Sequence, residues 1–77
     1  MAAPKFKVFD VRPLLARGEE PFAAIRAQVD RLAPGRGLTV VAPFLPAPLI
    51  ELLKAEGFHS TFEHRTDGAW SVGFWKD

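Results

Sequence analysis

Charged and imidazole side chains are the groups in this 77-residue sequence that could bind metals, transfer protons or hold anions. The two histidines, His59 and His64, belong to the residue type that most often ligates transition metals. Their spacing along an extended strand directs them to opposite faces, so they cannot hold one ion together. We therefore predict no metal site and no cofactor.

A second group of candidates lies where the first predicted strand ends and a helix begins. Asp10 and Arg12 end the strand beside two helix starts, where open α/β sheets often bind ligands. Glu20 and Pro21 open the helix, and we predict a ligand-binding site from these four residues. For Asp10 and Arg12 the alternatives are a local ion pair or a carboxylate that accepts loop N–H groups. For Glu19 and Glu20 the alternative to acid–base chemistry is helix capping, since the helix dipole favours both carboxylates ionised.

What the sequence lacks limits the remaining chemistry. It contains no cysteine and no tyrosine, which removes disulfides, thiolate ligands and cysteine nucleophiles. The two serines, Ser60 and Ser71, do not lie in a Gly-x-Ser-x-Gly turn, and there is no glycine-rich phosphate loop. We predict that the chain has no catalytic residues and is not an enzyme.

Length and composition favour a single soluble domain over residues 1–77. The sequence is 48 % hydrophobic and 25 % charged, which is typical of folded proteins. Its net charge is +1 and its basic residues are scattered, which argues against a strongly electrostatic nucleic-acid surface. No stretch approaches the ~18 apolar residues of a membrane span or contains a signal-peptide core. We therefore predict a cytoplasmic protein without membrane contact.

Glycine, proline and hydrophobic periodicity divide the chain into six elements in the order βαβαββ. Helices are predicted from Pro21 and from near Pro48, and the first carries an apolar stripe of Phe22, Ile25, Val29 and Leu32. Asp67-Gly68 predicts a hairpin turn. The predicted strands are Lys5–Val11, Leu38–Val41, Phe58–Arg65 and Ala69–Trp75.

This order predicts an α+β two-layer sandwich, with a four-stranded mixed sheet and two helices on one face. Strands two and four carry no charge, so we place them centrally in the order 1-2-4-3. The charged first and third strands then form the edges, where charge discourages pairing with other chains.

Two helices cover only one face of four strands, so the other face is predicted to be open. Strand alternation is expected to turn nine residues towards the helices: Phe6, Val8, Leu38, Val40, Phe58, Phe62, Trp70, Val72 and Phe74. The open face would then present Phe9, Val41 and Trp75 among polar residues. We predict that these three form the interface of a homodimer or of a complex with an unknown protein partner.

At Asp10-Val11-Arg12, followed by a loop and by Pro21, the chain resembles the TusA/SirA-like superfamily of small βαβαββ domains. In those proteins a strand ending in Leu-Asp-x-Arg-Gly leads to a Cys-Pro-x-Pro turn, whose cysteine carries a persulfide sulfur. Gly18-Glu19-Glu20-Pro21 stands in place of that turn, so persulfide chemistry does not transfer. The chain is more similar to a cysteine-less, uncharacterised bacterial branch of the superfamily. The motifs of that branch are Pro46-Ala47-Pro48-Leu49, Gly57-Phe58 and Asp67-Gly68-Ala69-Trp70.

The residues and the resemblance together predict a non-catalytic binding or accessory domain. It would act through protein or small-ligand contacts, and the resemblance implies a place in sulfur or redox metabolism. The alternative is a weak RNA-binding domain that uses its arginines and the sheet face. Salt separates the two functions, because phosphate binding weakens steeply with ionic strength and an apolar contact does not.

Overall fold

Four strands and three helices make up residues 5–76, the part of the chain that the structure, a computed structural model, describes. Two of the helices were predicted, and the additional one is a short helix, Arg12–Ala16, inside the region predicted as a loop. Pro13 fits the first turn of this helix, where a missing N–H is not needed. The helices are α1 (Arg12–Ala16), α2 (Pro21–Asp30) and α3 (Ala47–Ala55). The strands are β1 (Lys5–Asp10), β2 (Arg36–Ala42), β3 (His59–His64) and β4 (Trp70–Trp75).

The predicted strand order is confirmed, because the sheet runs β1-β2-β4-β3. β1 is parallel to β2, and β4 runs antiparallel to both of its neighbours, β2 and β3. The two central strands carry no charge beyond Arg36 at the beginning of β2, and the strands that carry lysines or histidines form the two edges. This arrangement agrees with the α+β fold predicted from the sequence.

Gly57 ends α3 and turns the chain into β3. Its φ of 95° lies in the left-handed region that glycine adopts without strain. The N–H of Gly57 donates to the Lys54 carbonyl and the N–H of Phe58 donates to the Leu53 carbonyl, both at 3.0 Å. This pair of bonds is a Schellman motif, and Phe58 packs against the core as that motif favours. Within residues 5–76 no helix is long and apolar enough to cross a membrane.

The core lies between the sheet and the helices. Leu38 and Val40 of β2 and Phe74 of β4 are fully buried there, and Ile25 and Val29 bring α2 onto them. The predicted stripe of α2 is correct at these two positions. Phe22 departs from it and is 43 % exposed, because it lies in the first turn of the helix.

The prediction of which β1 residues face the helices is wrong. The register pairs Lys7 with Leu38 and Phe9 with Val40, which puts the odd-numbered residues of β1 on the helix side. Phe9 packs against the core, so it is not an open-face interface residue as predicted. Phe6 and Val8 lie on the open face instead, 40 % and 65 % exposed.

The physical reason is found at the end of the strand. Val11 has the same alternation as Phe9 and is 1 % exposed within the core, whereas Lys5 and Lys7 lie at the exposed beginning of β1. Burying Phe9 and Val11 together outweighs burying Phe6 and Val8, because the helices cover the end of the strand and not its beginning.

We expect the slowest amide hydrogen exchange at Val40 and Val72, which face each other across the central β2–β4 pair and are fully buried. Opening these amides requires separation of both central strands, so their protection should approach that of global unfolding. Exchange followed by NMR checks this expectation. Equal protection at Lys7 of β1 and Thr61 of β3 would contradict the central position of β2 and β4.

Candidate functional site

A cluster of two carboxylates and two guanidinium groups lies where β1 ends and the β3–β4 turn begins. The backbone N–H and Nε of Arg12 each donate to Asp10 Oδ1 at 3.0 Å, and its Nη2 donates to Oδ2 at 2.8 Å. Its Nη1 donates to Oδ2 of Asp67 at 3.2 Å. Arg65 holds Asp67 as well, with Nη2 at 3.1 Å from Oδ2. This charge clamp, formed by Asp10, Arg12, Arg65 and Asp67, ties β1 to the β3–β4 hairpin.

The charges of the clamp stabilise one another. Hydrogen bonds from Arg12 lower the pKa of Asp10. The pKa of Asp67 falls to about 2, chiefly through its hydrogen bond from Arg65 and then through the N–H of Ala69. Asp10 in turn raises the pKa of Arg12. Both carboxylates are therefore ionised at neutral pH and have no proton to donate, and each guanidinium already has a carboxylate partner.

Val41 is closed off by the clamp. Its register partners are Asp10 on β1 and Ser71 on β4, so it belongs to the open side of β2. It is nevertheless only 2 % exposed. Because Arg12 reaches from Asp10 to Asp67, it spans the end of β2 beside Val41. Val41 therefore lies on the side of the sheet that the sequence predicts, but it is buried there and is not part of the exposed surface.

The remaining predicted ligand residues lie at the start of α2. Pro21 is the first helical residue, and Glu20 is its N-cap. The Glu20 carboxylate accepts from the N–H of Phe22 at 2.6 Å and of Ala23 at 3.2 Å. Glu19 pairs with Arg17. The structure thus gives Glu20 the capping role, and brings Asp10 and Arg12 together as an ion pair; a ligand at these four residues stays a prediction.

The open face of the sheet is built around Phe6. Its ring rests on Gly37 of β2 and Gly73 of β4, where an added Cβ would lie 2.5 Å and 3.2 Å from the nearest ring atom. Trp75 meets the same ring edge-on, with centroids 5.8 Å apart. The two glycines therefore make room for an aromatic side chain that crosses from the edge strand towards the middle of the sheet.

Val8 and Trp75 extend this apolar surface, which we call the Phe6 face: Phe6, Val8 and Trp75. Trp75 lies on the open side, as predicted, since it pairs with Gly37 and with His59. His59 stacks on its ring at 5.4 Å. Hydroxyl groups of Thr39, Thr61 and Ser71 line a shallow cavity of about 300 Å³ beside Phe6.

The two histidines lie apart, as their spacing predicts. His59 stacks on Trp75 on the open side, whereas His64 stacks on Trp70 at 4.6 Å. Within residues 5–76 no three histidine, aspartate or glutamate side chains are grouped so that they could hold a metal ion.

Fold and site together define a class of protein: an α+β domain with a four-stranded mixed sheet, one face under helices and the other carrying an apolar surface and a charge clamp. Residues 8–76 match the family described as an uncharacterized conserved protein (DUF2249). This match covers most of the chain, so the chain belongs to that family, and the expectation of an uncharacterised domain is confirmed. Comparisons with curated proteins and with solved structures give no match.

Sequence reasoning missed Phe6 and Val8 as surface residues, although one signal pointed to them. Gly37 and Gly73 stand inside strands that are otherwise rich in large side chains, and glycine at such a position often marks the close approach of another group. The roles of Arg65 and Asp67 in the clamp carried no such signal, because they depend on how the hairpin meets β1.

We expect Asp67→Asn to flatten the acid dependence of stability. The pKa of Asp67 falls from its ordinary value of 3.8 to about 2 in the folded chain, so its contribution is full above pH ~4 and is lost as pH falls towards 2. Asparagine keeps an oxygen that can accept the Ala69 N–H but lacks the charge. Urea unfolding at pH 7, 4 and 2 measures the difference between the variant and the wild type.

Asp67→Ala, which also loses the acceptor, provides the matched comparison. It should be less stable than Asp67→Asn at every pH. An unchanged pH slope in both variants would show that the clamp carries no charge-dependent stability.

We expect Gly37→Ala to expel the Phe6 ring. The new methyl would overlap ring atoms, and loss of the Phe6–Trp75 contact should lower the free energy of unfolding by about 0.5–1.5 kcal/mol. In a Phe6→Ala background the same change should be neutral or slightly stabilising, because alanine loses less backbone entropy than glycine. Urea unfolding of the four chains of this cycle gives the coupling, and an equal effect in both backgrounds would contradict the packing described.

Proposed function

We propose that the chain is a non-catalytic protein-interaction module that binds a segment of a partner protein on the Phe6 face. The observation that carries the proposal is the exposure of Phe6 and Val8 side by side on a sheet face, 40 % and 65 % respectively. Large apolar groups left in water on one contiguous surface are typical of binding surfaces. Tryptophan, here Trp75, is enriched where interfaces concentrate their binding energy.

The state of the charged groups supports a binding role over catalysis. The clamp carboxylates are ionised and hydrogen-bonded, so neither is a proton donor near neutral pH. The Glu20 carboxylate is engaged by two backbone N–H groups of α2. The charged residues first considered for chemistry therefore hold the fold in place around the Phe6 face.

A partner protein fits this surface better than a second copy of the chain. Four strands of about six residues, spaced ~4.8 Å apart with a rise of ~3.3 Å per residue, give a face of roughly 400 Å². Two such faces together would bury about 800 Å², below the roughly 1,200 Å² at which stable interfaces begin. A partner that also contacts the neighbouring edge strand reaches a larger area.

RNA binding is less well supported than protein binding. Sheet surfaces that bind single-stranded RNA stack bases on open aromatic rings. Here His59 already stacks on Trp75, and the ring of Phe6 abuts it edge-on. The net charge of +1 also gives weak long-range attraction for phosphates.

We further propose that the family is related to the TusA/SirA-like superfamily and takes an accessory part in sulfur or redox metabolism. The βαβαββ order of the main elements and the positions of Asp10, Arg12 and Pro21 support this relationship. Without a cysteine, such a part rests on binding another protein and not on carrying sulfur.

We expect Val8→Asp to weaken peptide binding without unfolding the chain. Val8 is 65 % exposed, so the folded state tolerates a carboxylate there, whereas burial of that carboxylate under a ligand would weaken binding at least ~10-fold. The probe is a phage-displayed library of random peptides selected on the wild-type chain. Selected peptides are then titrated against wild type and variant.

Leu52→Asp is the control, because Leu52 is 52 % exposed on α3, away from the sheet's open face. It should leave binding unchanged. Failure of the library to enrich any peptide, or equal loss in both variants, would overturn the proposal. So would a homodimer by sedimentation velocity that Val8→Asp dissociates, or tight salt-dependent binding of oligouridylate at the Phe6 face.

A further inference from the structure

A groove between the beginnings of β1 and β2 and the end of α2 gathers four cations and no carboxylate. Lys5 and Lys7 of β1, Arg31 at the end of α2 and Arg36 at the start of β2 line a cavity of about 280 Å³. Lys5 is the direct cross-strand partner of Arg36, and like charges placed opposite each other destabilise a sheet. Among residues 5–76 none of the four forms an ion pair. We call this cavity the basic groove.

The neighbouring cavity shows that the basic groove is a special feature of this surface. There Arg26 pairs with Asp30 at 3.3 Å and with Glu56 at 2.6 Å, and Lys76 lies 4.9 Å from the centre of the Phe58 ring. Arg26 and Lys76 therefore have partners within the chain, whereas Arg36, which lines both cavities, forms no ion pair among residues 5–76. The uncompensated charge of the basic groove is left for an external anion.

β1 presents a second unsatisfied feature between the basic groove and the Phe6 face, namely its outer backbone edge. β1 pairs only with β2, and within residues 5–76 no hydrogen bond from another element reaches the outer side of Lys5–Asp10. An edge strand of this kind offers a row of N–H and carbonyl groups to an extended peptide. On one side of that row lie Lys5 and Lys7, and on the other lie Phe6 and Val8.

We propose that β1 receives an extended segment of a partner protein as an added strand, and that this segment alternates acidic and apolar residues. Side chains of an added strand alternate between the two sides of the sheet. Its acidic residues would lie over the basic groove, beside Lys5 and Lys7, and its apolar residues would extend the Phe6 face next to Val8. The inference rests on the proposed function and adds the mode of binding and the chemistry of the partner.

The same charges select against other occupants of the edge. A second copy pairing through its own β1 would place Lys5 and Lys7 close to the same lysines, which is unfavourable. A nucleic acid would bring phosphates to the basic groove but cannot form the hydrogen-bond ladder of a strand. An extended segment of alternating acidic and apolar residues can neutralise the basic groove, hydrogen-bond to the backbone edge of β1 and cover the Phe6 face at the same time.

The test uses the full chain and short synthetic peptides of alternating glutamate and valine. Binding is followed by isothermal titration and by the backbone amide shifts of β1 in NMR spectra. We expect the glutamate–valine peptide to bind, with the largest amide shifts in Lys5–Asp10. The same peptide N-methylated at alternate residues keeps its side chains but cannot form the ladder, so it should not bind.

A charge exchange tests the basic groove. The variant Lys5→Glu/Lys7→Glu should bind the glutamate–valine peptide roughly 10-fold or more weakly than the wild type does. The same variant should instead bind a lysine–valine peptide. Lys54→Glu, the same type of substitution at a single position on α3, is the control and should leave both affinities unchanged. Circular dichroism and the urea midpoint establish that each variant is folded, and the methylated peptide tests the ladder on the wild-type chain alone.

The outcomes separate this inference from the proposed function. The inference of an added strand would be overturned if the glutamate–valine peptide did not bind or if the methylated peptide did bind. It would also be overturned if Lys5→Glu/Lys7→Glu did not change the preference from the glutamate–valine to the lysine–valine peptide. If library peptides still bind and still depend on Val8, the Phe6 face remains the site of the proposed function. Displacement of the bound peptide by oligouridylate at lower concentration would show that the basic groove takes a nucleic acid and would overturn the inference.

Discussion

The burial of Val11 sets the direction of every side chain in β1. Its N–H donates to the Val41 carbonyl at 3.0 Å, which continues the pairing of β1 with β2, and its side chain is only 1 % exposed. Since strand residues alternate, this one buried group turns Phe9 inward with it and leaves Phe6 and Val8 on the opposite side. This alternation places Phe6 and Val8 on the Phe6 face and Lys5 and Lys7 on the opposite side, in the basic groove.

Within residues 5–76, the charged side chains are paired at one end of the sheet and unpaired at the other. At the end of β1, Asp10, Arg12, Arg65 and Asp67 neutralise one another, and the clamp covers Val41 and fixes the hairpin. At the beginning of β1, four cations remain without partners in the described part of the chain. One end of the sheet is therefore closed by its own ion pairs, whereas the other keeps four cations without a carboxylate partner among residues 5–76.

The sequence predicted the fold where its signals are local or depend on the centre of the sheet. Strand order followed from the absence of charge in Leu38–Val41 and in β4, and the ends of α3 and of the hairpin followed from Gly57 and Asp67-Gly68. The face of β1 was not predictable by counting apolar residues, because Phe6, Val8 and Phe9 occur on both alternations. Which residues of β1 face the helices depends on the burial of Val11, which lies just beyond the strand. The charge clamp joins residues 55 positions apart, a distance that no spacing rule reaches.

β1 also shields a strand that would be hazardous if uncovered. From Gly37 to Ala42 β2 carries no charge and is rich in β-branched residues, a composition that favours intermolecular sheet formation. In the folded chain both of its edges are occupied, by β1 and by β4. An exposed edge strand thus covers the most aggregation-prone strand of the sheet. Detachment of β1 alone, without global unfolding, would uncover one edge of β2.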